Sequence, residues 1–253
     1  MNFIESLKYR NEPLFYFGLI CFVLSIFFLL LTKISNIQVA GVNAWNKPFK
    51  FSMSIMFYSL TMAWYCHYLP SFNITLFNWA VIILLGFEIG YIAIQAGRGQ
   101  QSHFNMSSPF YSVLFQLMGL AATLITLYTA YVGFLFFQNN FPDLPSAYLW
   151  GIRLGIVIFV IFSFEGALMG ARMSHTVGGQ DGGIGIPLLK WNKLFGDLRV
   201  AHFIGMHALQ ILPLLAFYLL KNTKAIFIVS ALYGLLAFFT FIQALNGKPF
   251  HKL

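Results

Sequence analysis

The sequence predicts an all-α integral membrane protein, a seven-transmembrane helix bundle with its N-terminus outside the cell and its C-terminus inside. Of the 253 residues, 59% are hydrophobic and only 9% are charged, and the mean hydropathy is +0.76. About a quarter of the residues in a soluble domain are charged, so this composition is typical of a membrane protein. Seven apolar stretches predict the seven helices. The unequal numbers of Lys and Arg on the two sides of the membrane predict their orientation.

Each apolar stretch is long enough to cross a bilayer, whose core requires about 20 predominantly apolar residues of helix. The first stretch follows a polar start and has no small-residue cleavage site after it, so we expect a retained helix and not a signal peptide. No stretch is left over for a soluble domain, and residues 1–253 are expected to form a single seven-helix transmembrane domain. Its predicted spans are residues 13–32, 49–69, 75–97, 109–137, 147–171, 199–220 and 225–246.

The positions of Lys and Arg orient the spans, because positively charged loops stay in the cytoplasm. The side of the N-terminus carries four such residues, namely Lys8, Arg10, Lys221 and Lys224. The opposite side carries ten, namely Lys33, Lys47, Lys50, Arg98, Arg172, Lys190, Lys193, Arg199, Lys248 and Lys252. We therefore expect the second side to be cytoplasmic and the protein to lie in the cell (inner) membrane.

The net charge of +8 does not indicate nucleic-acid binding, because the basic residues are scattered over short loops and form no basic face. The partner that the composition does indicate is the lipid bilayer. Cys21 and Cys66 lie inside apolar runs without the spacing of a metal or redox motif. The sequence leaves the oligomeric state open.

Four ionisable residues inside the predicted spans carry the functional hypothesis: Glu88, Glu165, His202 and His207. Ser, Thr and Gln on the same helices are typical of helix–helix contacts. An ionisable group near the bilayer centre costs roughly 3 kcal/mol and marks a functional site by default. Most polar positions lie toward the cytoplasmic ends of their spans, so we expect one site in the cytoplasmic half of the bundle.

The stretch "GDLRVAHFIGMHALQ" (196–210) opens the sixth span. Asp197 is expected to cap this helix. His202 and His207 are five residues apart and do not form the i, i+4 pair that binds one metal from one helix. Three chemistries stay open: a transition metal held by His202, His207 and Glu165, haem b ligated by a histidine, or a proton relay.

Polar residues of the inner loops and helix ends are candidates for binding the anionic group of an amphipathic small molecule. Arg98 suits a carboxylate or phosphate, and Ser102 beside His103 is not by itself a nucleophile–base pair. The loop "SHTVGGQDGGIG" (174–185) is expected to be flexible and to act as a lid. The predicted substrate-binding residues are Arg98, Arg199, Gln95, His103, Asn105, Lys50 and Gln210.

Seven predicted spans invite comparison with two known seven-span families. Retinal proteins carry a lysine in the middle of the last span, and residues 225–246 contain none. The chain is similar in its intramembrane residue types to the zinc-dependent ceramidase and adiponectin-receptor group, but the paired histidines of that group are i, i+4. No family is therefore assigned.

The sequence leaves three functions open. The leading hypothesis is a membrane-embedded enzyme for a lipid-soluble or amphipathic substrate, with His202, His207, Glu88 and Glu165 as its catalytic residues. The second is a proton-coupled transporter of a small solute. The third is a membrane sensor or assembly subunit whose polar core is structural.

Overall fold

The computed structural model describes residues 2–182 and 184–251. Lys252, which contributes to the charge count above, lies outside the described residues, as do Met1, Gly183 and Leu253. The described chain is largely helical, which confirms the predicted helical class. It divides into two compact units, residues 1–125 and residues 126–253. The boundary falls inside a long helix, and a single 1–253 domain stays a prediction.

The first unit consists of helices and one short hairpin. An asparagine accepts a backbone N–H at the start of α1, α2 and α4, which satisfies groups that a helix start leaves unpaired. The strands β1 and β2 pair antiparallel, with Gln38 opposite Asn43. The elements are α1 (Phe3–Arg10), α2 (Glu12–Ile34), β1 (Gln38–Val39), β2 (Val42–Asn43), α3 (Asn46–Cys66), α4 (Ile74–Gly97) and the first part of α5 (Pro109–Gln138).

The second unit contains the rest of α5 and five further helical segments. Its strands β3 and β4 pair antiparallel, with Thr176 opposite Asp197. The elements are α6 (Ser146–Ser163), α7 (Glu165–Arg172), β3 (Thr176–Val177), β4 (Gly196–Asp197), α8 (Arg199–Leu215), a π-helical segment (Ala216–Leu220) and α9 (Thr223–Leu245).

Six stretches of the described chain are helices long and apolar enough to cross a membrane. They are Glu12–Ile34, Ile74–Gly97, Pro109–Gln138, Ser146–Arg172, Arg199–Leu220 and Thr223–Leu245, and they agree with six of the predicted spans. The chain therefore has the character of an integral membrane protein.

Helix α9 shows how such a helix divides between lipid and protein. Its residues Ile228, Leu232, Leu235 and Phe239 are each at least 60% exposed and recur at helical spacing. Its polar residues include Ser230 and Thr240, which are buried. An apolar stripe of this kind on the surface suits a hydrocarbon environment.

The remaining predicted span, residues 49–69, is also a helix in the structure, α3. It is less apolar than the other six. Eleven of its 21 residues are buried, against five of 23 in α2. Side chains that face protein do not need to be apolar, and α3 buries Ser52 and Ser59 completely. The helix is thus confirmed, whereas its crossing of the membrane stays a prediction.

Reciprocal amide hydrogen bonds join α2 to α4 inside the first unit. The Asn11 Nδ2 donates to Asn78 Oδ1 at 2.8 Å, and the Asn78 Nδ2 donates to Asn11 Oδ1 at 2.9 Å. Both side chains are buried. Each amide oxygen thus accepts a hydrogen bond from the other side chain, which helps to accommodate two buried polar groups at the end of apolar helices.

Close backbone approach joins α6 to α8 in the second unit. Gly151 and Gly155 form a G-x-x-x-G pair on α6. A Cβ built on Gly155 would lie 2.7 Å from the carbonyl oxygen of Ala208, and one built on Gly151 would lie 3.0 Å from the Cα of Pro213. Small residues at this spacing let membrane helices pack with their backbones in contact.

Arg153 shows how the second unit accommodates a charge within a span. Its Nε donates to the Phe136 carbonyl at 2.9 Å, and its Nη2 donates to the Asn139 carbonyl at 3.4 Å. The guanidinium also lies 5.0 Å from the ring centroid of Trp150. The carbonyls at the C-terminal end of a helix carry partial negative charge, so Arg153 acts as a cap for α5.

Candidate functional site

The helical span 146–172 is interrupted at Phe164, and Glu165 begins the second part of it. The Ser163 hydroxyl donates to the Phe159 carbonyl at 2.7 Å, a contact that often bends helices. The Glu165 side chain is buried, and neither carboxyl oxygen has a hydrogen-bond partner among the described residues. Buried polar groups are nearly always paired, so this carboxyl requires an explanation.

His202 packs beside this interruption. Its Nδ1 lies 2.7 Å from the Phe162 carbonyl oxygen, which can only accept a hydrogen bond. This contact assigns the proton of a neutral ring to Nδ1 and leaves Nε2 as the acceptor nitrogen. The ring also lies against Gly166, where a built Cβ would be 3.5 Å from His202 Cε1. His202 therefore packs against Gly166, the residue that follows Glu165 in the chain, whereas the charged group close enough to act on the Glu165 carboxyl is Asp197.

The short β3–β4 pairing brings a second histidine to the same junction. Thr176 pairs with Asp197, and the Leu198 N–H donates to the His175 carbonyl at 3.0 Å. Because α8 begins at Arg199, His175 is held one turn before His202. The two histidines are close enough to interact electrostatically.

Asp181 orients His175. Its Oδ2 lies 3.0 Å from His175 Nδ1, and its carboxylate also accepts the backbone N–H groups of His175 and Thr176 and the hydroxyl of Ser174. Partial burial alone would raise the pKa of Asp181, but the hydrogen bonds and charge of His175 outweigh it, and the pKa lies well below its usual range. The loop predicted to be flexible is thus locally ordered around this carboxylate.

Asp197 and Arg199 form a compact ion pair at the start of α8. The Arg199 Nη2 lies 2.6 Å from Asp197 Oδ2 and also donates to the Lys190 carbonyl at 2.8 Å. The predicted N-cap position of Asp197 is wrong, because Leu198 is the N-cap of α8 and Asp197 lies one residue earlier in β4, from where its carboxylate accepts the backbone N–H of Arg199. Arg199 was predicted to bind an anionic group, and its guanidinium already contacts one in Asp197.

His207 and Gln210 lie further along α8. The His207 Nδ1 is 2.7 Å from the carbonyl of Phe203 in the same helix, and the two rings are 4.0 Å apart at their centroids. Over residues 2–182 and 184–251, no group of three or more His, Cys, Asp or Glu side chains is arranged to hold a metal ion. The ligand set predicted from His202, His207 and Glu165 is therefore not assembled among the described residues, and the metal and haem hypotheses are without support.

The first unit contains its own buried carboxyl, Glu88 on α4. Lys47 lies close enough to interact with it electrostatically. Gln95 lies one helical turn beyond Tyr91 on α4. Gln95 is buried, and its Nε2 donates to the Gln101 carbonyl at 3.1 Å. Gln95 thus anchors the loop that follows α4.

That loop places the remaining candidates of the first unit. The Ser102 Oγ and His103 Nδ1 are 3.3 Å apart, and the His103 ring lies among the rings of Phe51, Phe104 and Phe115. Asn105 is buried, and its Oδ1 accepts a hydrogen bond from the Ser107 hydroxyl at 2.7 Å. Gln95 and Asn105 therefore stabilise the loop.

The two predicted cations of the first unit have local partners. Arg98 ends α4 and lies 6.0 Å from the ring centroid of Tyr111. Lys50 lies half-buried in the first turns of α3.

The predicted site residues thus fall into two groups, one in each unit. Glu88, Gln95, Arg98, His103, Asn105 and Lys50 belong to the first unit, and Glu165, Arg199, His202, His207 and Gln210 belong to the second. Within the second unit, His202 packs against Gly166, which follows Glu165 in the chain. A single polar zone that combines both groups stays a prediction.

The pair of His175 and Asp181 was missed as a functional element. Its glycine-rich surroundings indicated flexibility, yet Gly178, with φ of +90°, gives the turn that folds Asp181 back onto residues 174–176. The signal in the sequence is Ser-His-Thr followed after four residues by Asp, in which neighbouring donors are within reach of one carboxylate.

Comparison with known proteins gives no match: no family model, no curated protein and no solved structure matches this chain. Its function is therefore argued from the chemistry of its side chains.

Proposed function

We propose that the chain is a membrane-embedded enzyme that performs acid–base chemistry on a lipid-soluble or amphipathic substrate. Its site consists of Glu165 and His202, with the pair of His175 and Asp181 beside them. In the proposed topology all seven predicted helices, α3 included, cross the cell membrane. The N-terminus is then outside, the C-terminus is inside, and the site lies in the cytoplasmic half.

The buried carboxyl of Glu165 carries this proposal. Leaving a polar group unpaired in a protein interior costs about 1–3 kcal/mol. No hydrogen bond within the described residues offsets this cost for Glu165, because both of its carboxyl oxygens lack a partner there. Such a group is expected where a substrate supplies the missing hydrogen bond or exchanges a proton with the carboxyl.

The two histidines have hydrogen bonds that suit proton transfer. The Phe162 carbonyl fixes the ring of His202 through Nδ1, so that Nε2 is the atom that accepts or returns a proton. The Asp181 carboxylate fixes His175 in the same way and stabilises its protonated form. A carboxyl and two oriented imidazoles provide the acid and the base of a proton-transfer reaction.

The proposal uses no metal ion, because the described His, Cys, Asp and Glu side chains do not group as a metal site requires. Arg98 and Lys50 belong to the first unit and are not part of this site, so their binding of an anionic group stays a prediction. Arg199 has a structural role in the proposal, since Asp197 and the Lys190 carbonyl use its guanidinium.

The test is conversion of membrane lipids and lipid-soluble metabolites by purified protein in lipid nanodiscs, followed by mass spectrometry. We expect Glu165→Gln and His202→Asn to abolish a conversion that the wild type performs. Glu12→Gln and His67→Asn are matched controls, because Glu12 is exposed and His67 belongs to the other unit. The proposal would be contradicted by a folded wild type that converts none of these lipids and metabolites. Full activity in both site variants would also contradict it.

A proton-coupled transporter of a small solute is the second candidate, and the interruption at Phe164 favours it. Transporters commonly bind substrate and ions where a spanning helix is broken, and Glu165 lies at the break. In proteoliposomes this function predicts solute uptake driven by a pH gradient and lost in Glu165→Gln. The enzyme proposal instead predicts chemical conversion without a gradient.

A further inference from the structure

A cavity of about 420 Å³ lies at one end of the second unit, away from the junction that contains Glu165 and His202. It is lined by Pro145, Tyr148, Ala216, Phe217, Tyr218 and Lys221. Its volume is within the range of small-ligand sites, about 300–1,000 Å³. Its lining residues Phe217, Tyr218 and Lys221 are exposed, so a ligand reaches it from the surface.

The local sequence explains why the cavity forms there. Pro213 lies inside α8 and has no N–H to donate, and the last turn of this span is a π-helix, Ala216–Leu220. The Lys221 N–H then donates to the Ala216 carbonyl at 3.3 Å, and Lys221 adopts a left-handed conformation with φ of +43°. Single π-turns are rare and frequently occur at functional sites.

The lining combines an apolar wall with one cation. The ring of Phe217 makes an edge contact with Tyr148, at 5.5 Å between centroids, and another with Tyr218 at 4.9 Å. Lys221 is the charged residue of the lining, and over the described chain it forms no ion pair with a carboxylate.

The position of the cavity adds a further constraint. Lys221 directly follows the membrane-length helix Arg199–Leu220, so its ammonium lies where a spanning helix ends. Tyr and Lys at this level of a membrane protein meet the lipid headgroups. The rings of Phe217 and Tyr218, in the last turn of the same helix, are exposed.

We propose that this cavity binds an anionic phospholipid. The phosphate pairs with the Lys221 ammonium, and the glycerol and upper acyl segment lie against Phe217 and Tyr148. The proposal is independent of the proposed function, since no residue of the cavity belongs to the Glu165 site. Charge complementarity selects an anionic lipid over a zwitterionic one, whose own cation would face Lys221.

Lys224 supplies a matched control, because it is a neighbouring exposed lysine that does not line the cavity. The experiment measures the melting temperature of detergent-purified wild type, Lys221→Gln and Lys224→Gln during titration with phosphatidylglycerol. Parallel titrations use phosphatidylcholine and inorganic phosphate. The melting temperature without added lipid reports whether each variant folds.

We expect phosphatidylglycerol to raise the melting temperature of the wild type, with little effect of phosphatidylcholine or inorganic phosphate. Loss of Lys221 should raise the half-saturating lipid concentration about fivefold, which corresponds to the ~1 kcal/mol of a lysine at an anionic surface. Lys224→Gln should behave as the wild type. Equal shifts in Lys221→Gln and Lys224→Gln, or an equal response to phosphatidylcholine, would overturn the proposal. A full response to inorganic phosphate would identify a phosphate site without a lipid.

If Lys221→Gln itself unfolds, the same comparison is made with Lys221→Arg and Phe217→Ala. The arginine variant keeps the charge and should retain the lipid response, whereas Phe217→Ala removes the apolar wall and should weaken it. Unchanged half-saturation in Phe217→Ala would overturn the assignment of the acyl segment to this cavity.

Discussion

Arg153 is a residue whose charge the structure explains without a function. Its guanidinium donates to the carbonyls of Phe136 and Asn139. Hydrogen bonds from a charged group contribute about 1.5–3 kcal/mol, and removing the donor also leaves carbonyls unpaired. We expect Arg153→Met to lower the free energy of unfolding in mixed micelles by about 2 kcal/mol.

The matched control is Arg172→Met, because Arg172 is an exposed arginine at the end of α7. It should change stability by less than about 0.5 kcal/mol. Equal losses of stability in the two variants would show that Arg153 does not act as a cap for α5.

Asp181 gives a prediction that depends on pH. A carboxyl whose pKa is lower in the folded state stabilises the fold above its unfolded pKa of about 3.9, and this contribution is lost as pH falls toward the folded pKa. The pKa of Asp181 is lowered in this way by His175, against the effect of burial. The amides of His175 and Thr176 should therefore stay protected from hydrogen exchange at pH 7 and pH 5 and lose protection only in stronger acid.

Asp181→Asn should reduce the protection of the same two amides at pH 7 by about tenfold, because the charge-assisted hydrogen bonds become neutral ones. Mass spectrometry of peptides from the 174–185 loop measures this protection. The protection of the amides in α8 should be unaffected. Identical protection in the variant and the wild type would show that Asp181 does not order the loop.

At the scale of the helices, the contact of α6 with α8 depends on the absence of a side chain at Gly155. A Cβ there would meet the Ala208 carbonyl, which is backbone and cannot move independently. We expect Gly155→Ala to lower the free energy of unfolding by about 1–3 kcal/mol, as overpacking does.

Gly170 on α7 is the matched position, because a Cβ built there has no atom within 4 Å. Gly170→Ala should leave stability unchanged or raise it by up to about 1 kcal/mol, since alanine favours helix. Thermal unfolding in one detergent compares the two variants. A greater loss of stability in Gly170→Ala than in Gly155→Ala would contradict the packing described for α6 and α8.

Hydropathy predicted the helices well and their interruptions not at all. All seven predicted stretches are helical, because a long apolar run in a chain of this composition has few other ways to satisfy its backbone. The break at Phe164 depends on side-chain contacts of Ser163 and of His202, which is 40 residues away from Phe162. No average over a window of residues contains that information.

At the scale of the whole molecule, the number of spans decides where the two ends lie. Seven spans place them on opposite sides of the membrane, and six spans place them on the same side. We expect Ser6→Cys to react with an impermeant thiol reagent in intact cells and His251→Cys to react only after lysis. Cys21 and Cys66 are buried, which limits background labelling.

Equal labelling of both positions in intact cells would contradict the odd number of spans and would identify α3 as a helix that does not cross. Equal protection of both would do the same and would place both ends inside. Only opposite labelling agrees with the charge distribution from which the orientation was predicted.

The sequence predicted individual members of the site but not their contacts. Glu165 and His202 were singled out because ionisable groups are costly in a membrane. An ionisable residue inside an apolar stretch can be recognised from the sequence alone. Arg199 was predicted to bind substrate, yet Asp197, two residues away, already pairs with it. His175 and Asp181 were read as a flexible lid because glycine content reports conformational freedom and not the hydrogen bonds that remove it.

The hydrogen bonds of Asp181 have a consequence for the order of events during protein synthesis. Their partners lie at most seven positions away, so the loop closes with a small loss of chain entropy. These contacts need no residue beyond 181, whereas His202 is 21 positions further along. At 5–20 residues per second, translation reaches His202 roughly 1–4 s after Asp181. A ribosome stalled within this interval would carry a nascent chain that contains Asp181 and all its hydrogen-bond partners but not yet His202.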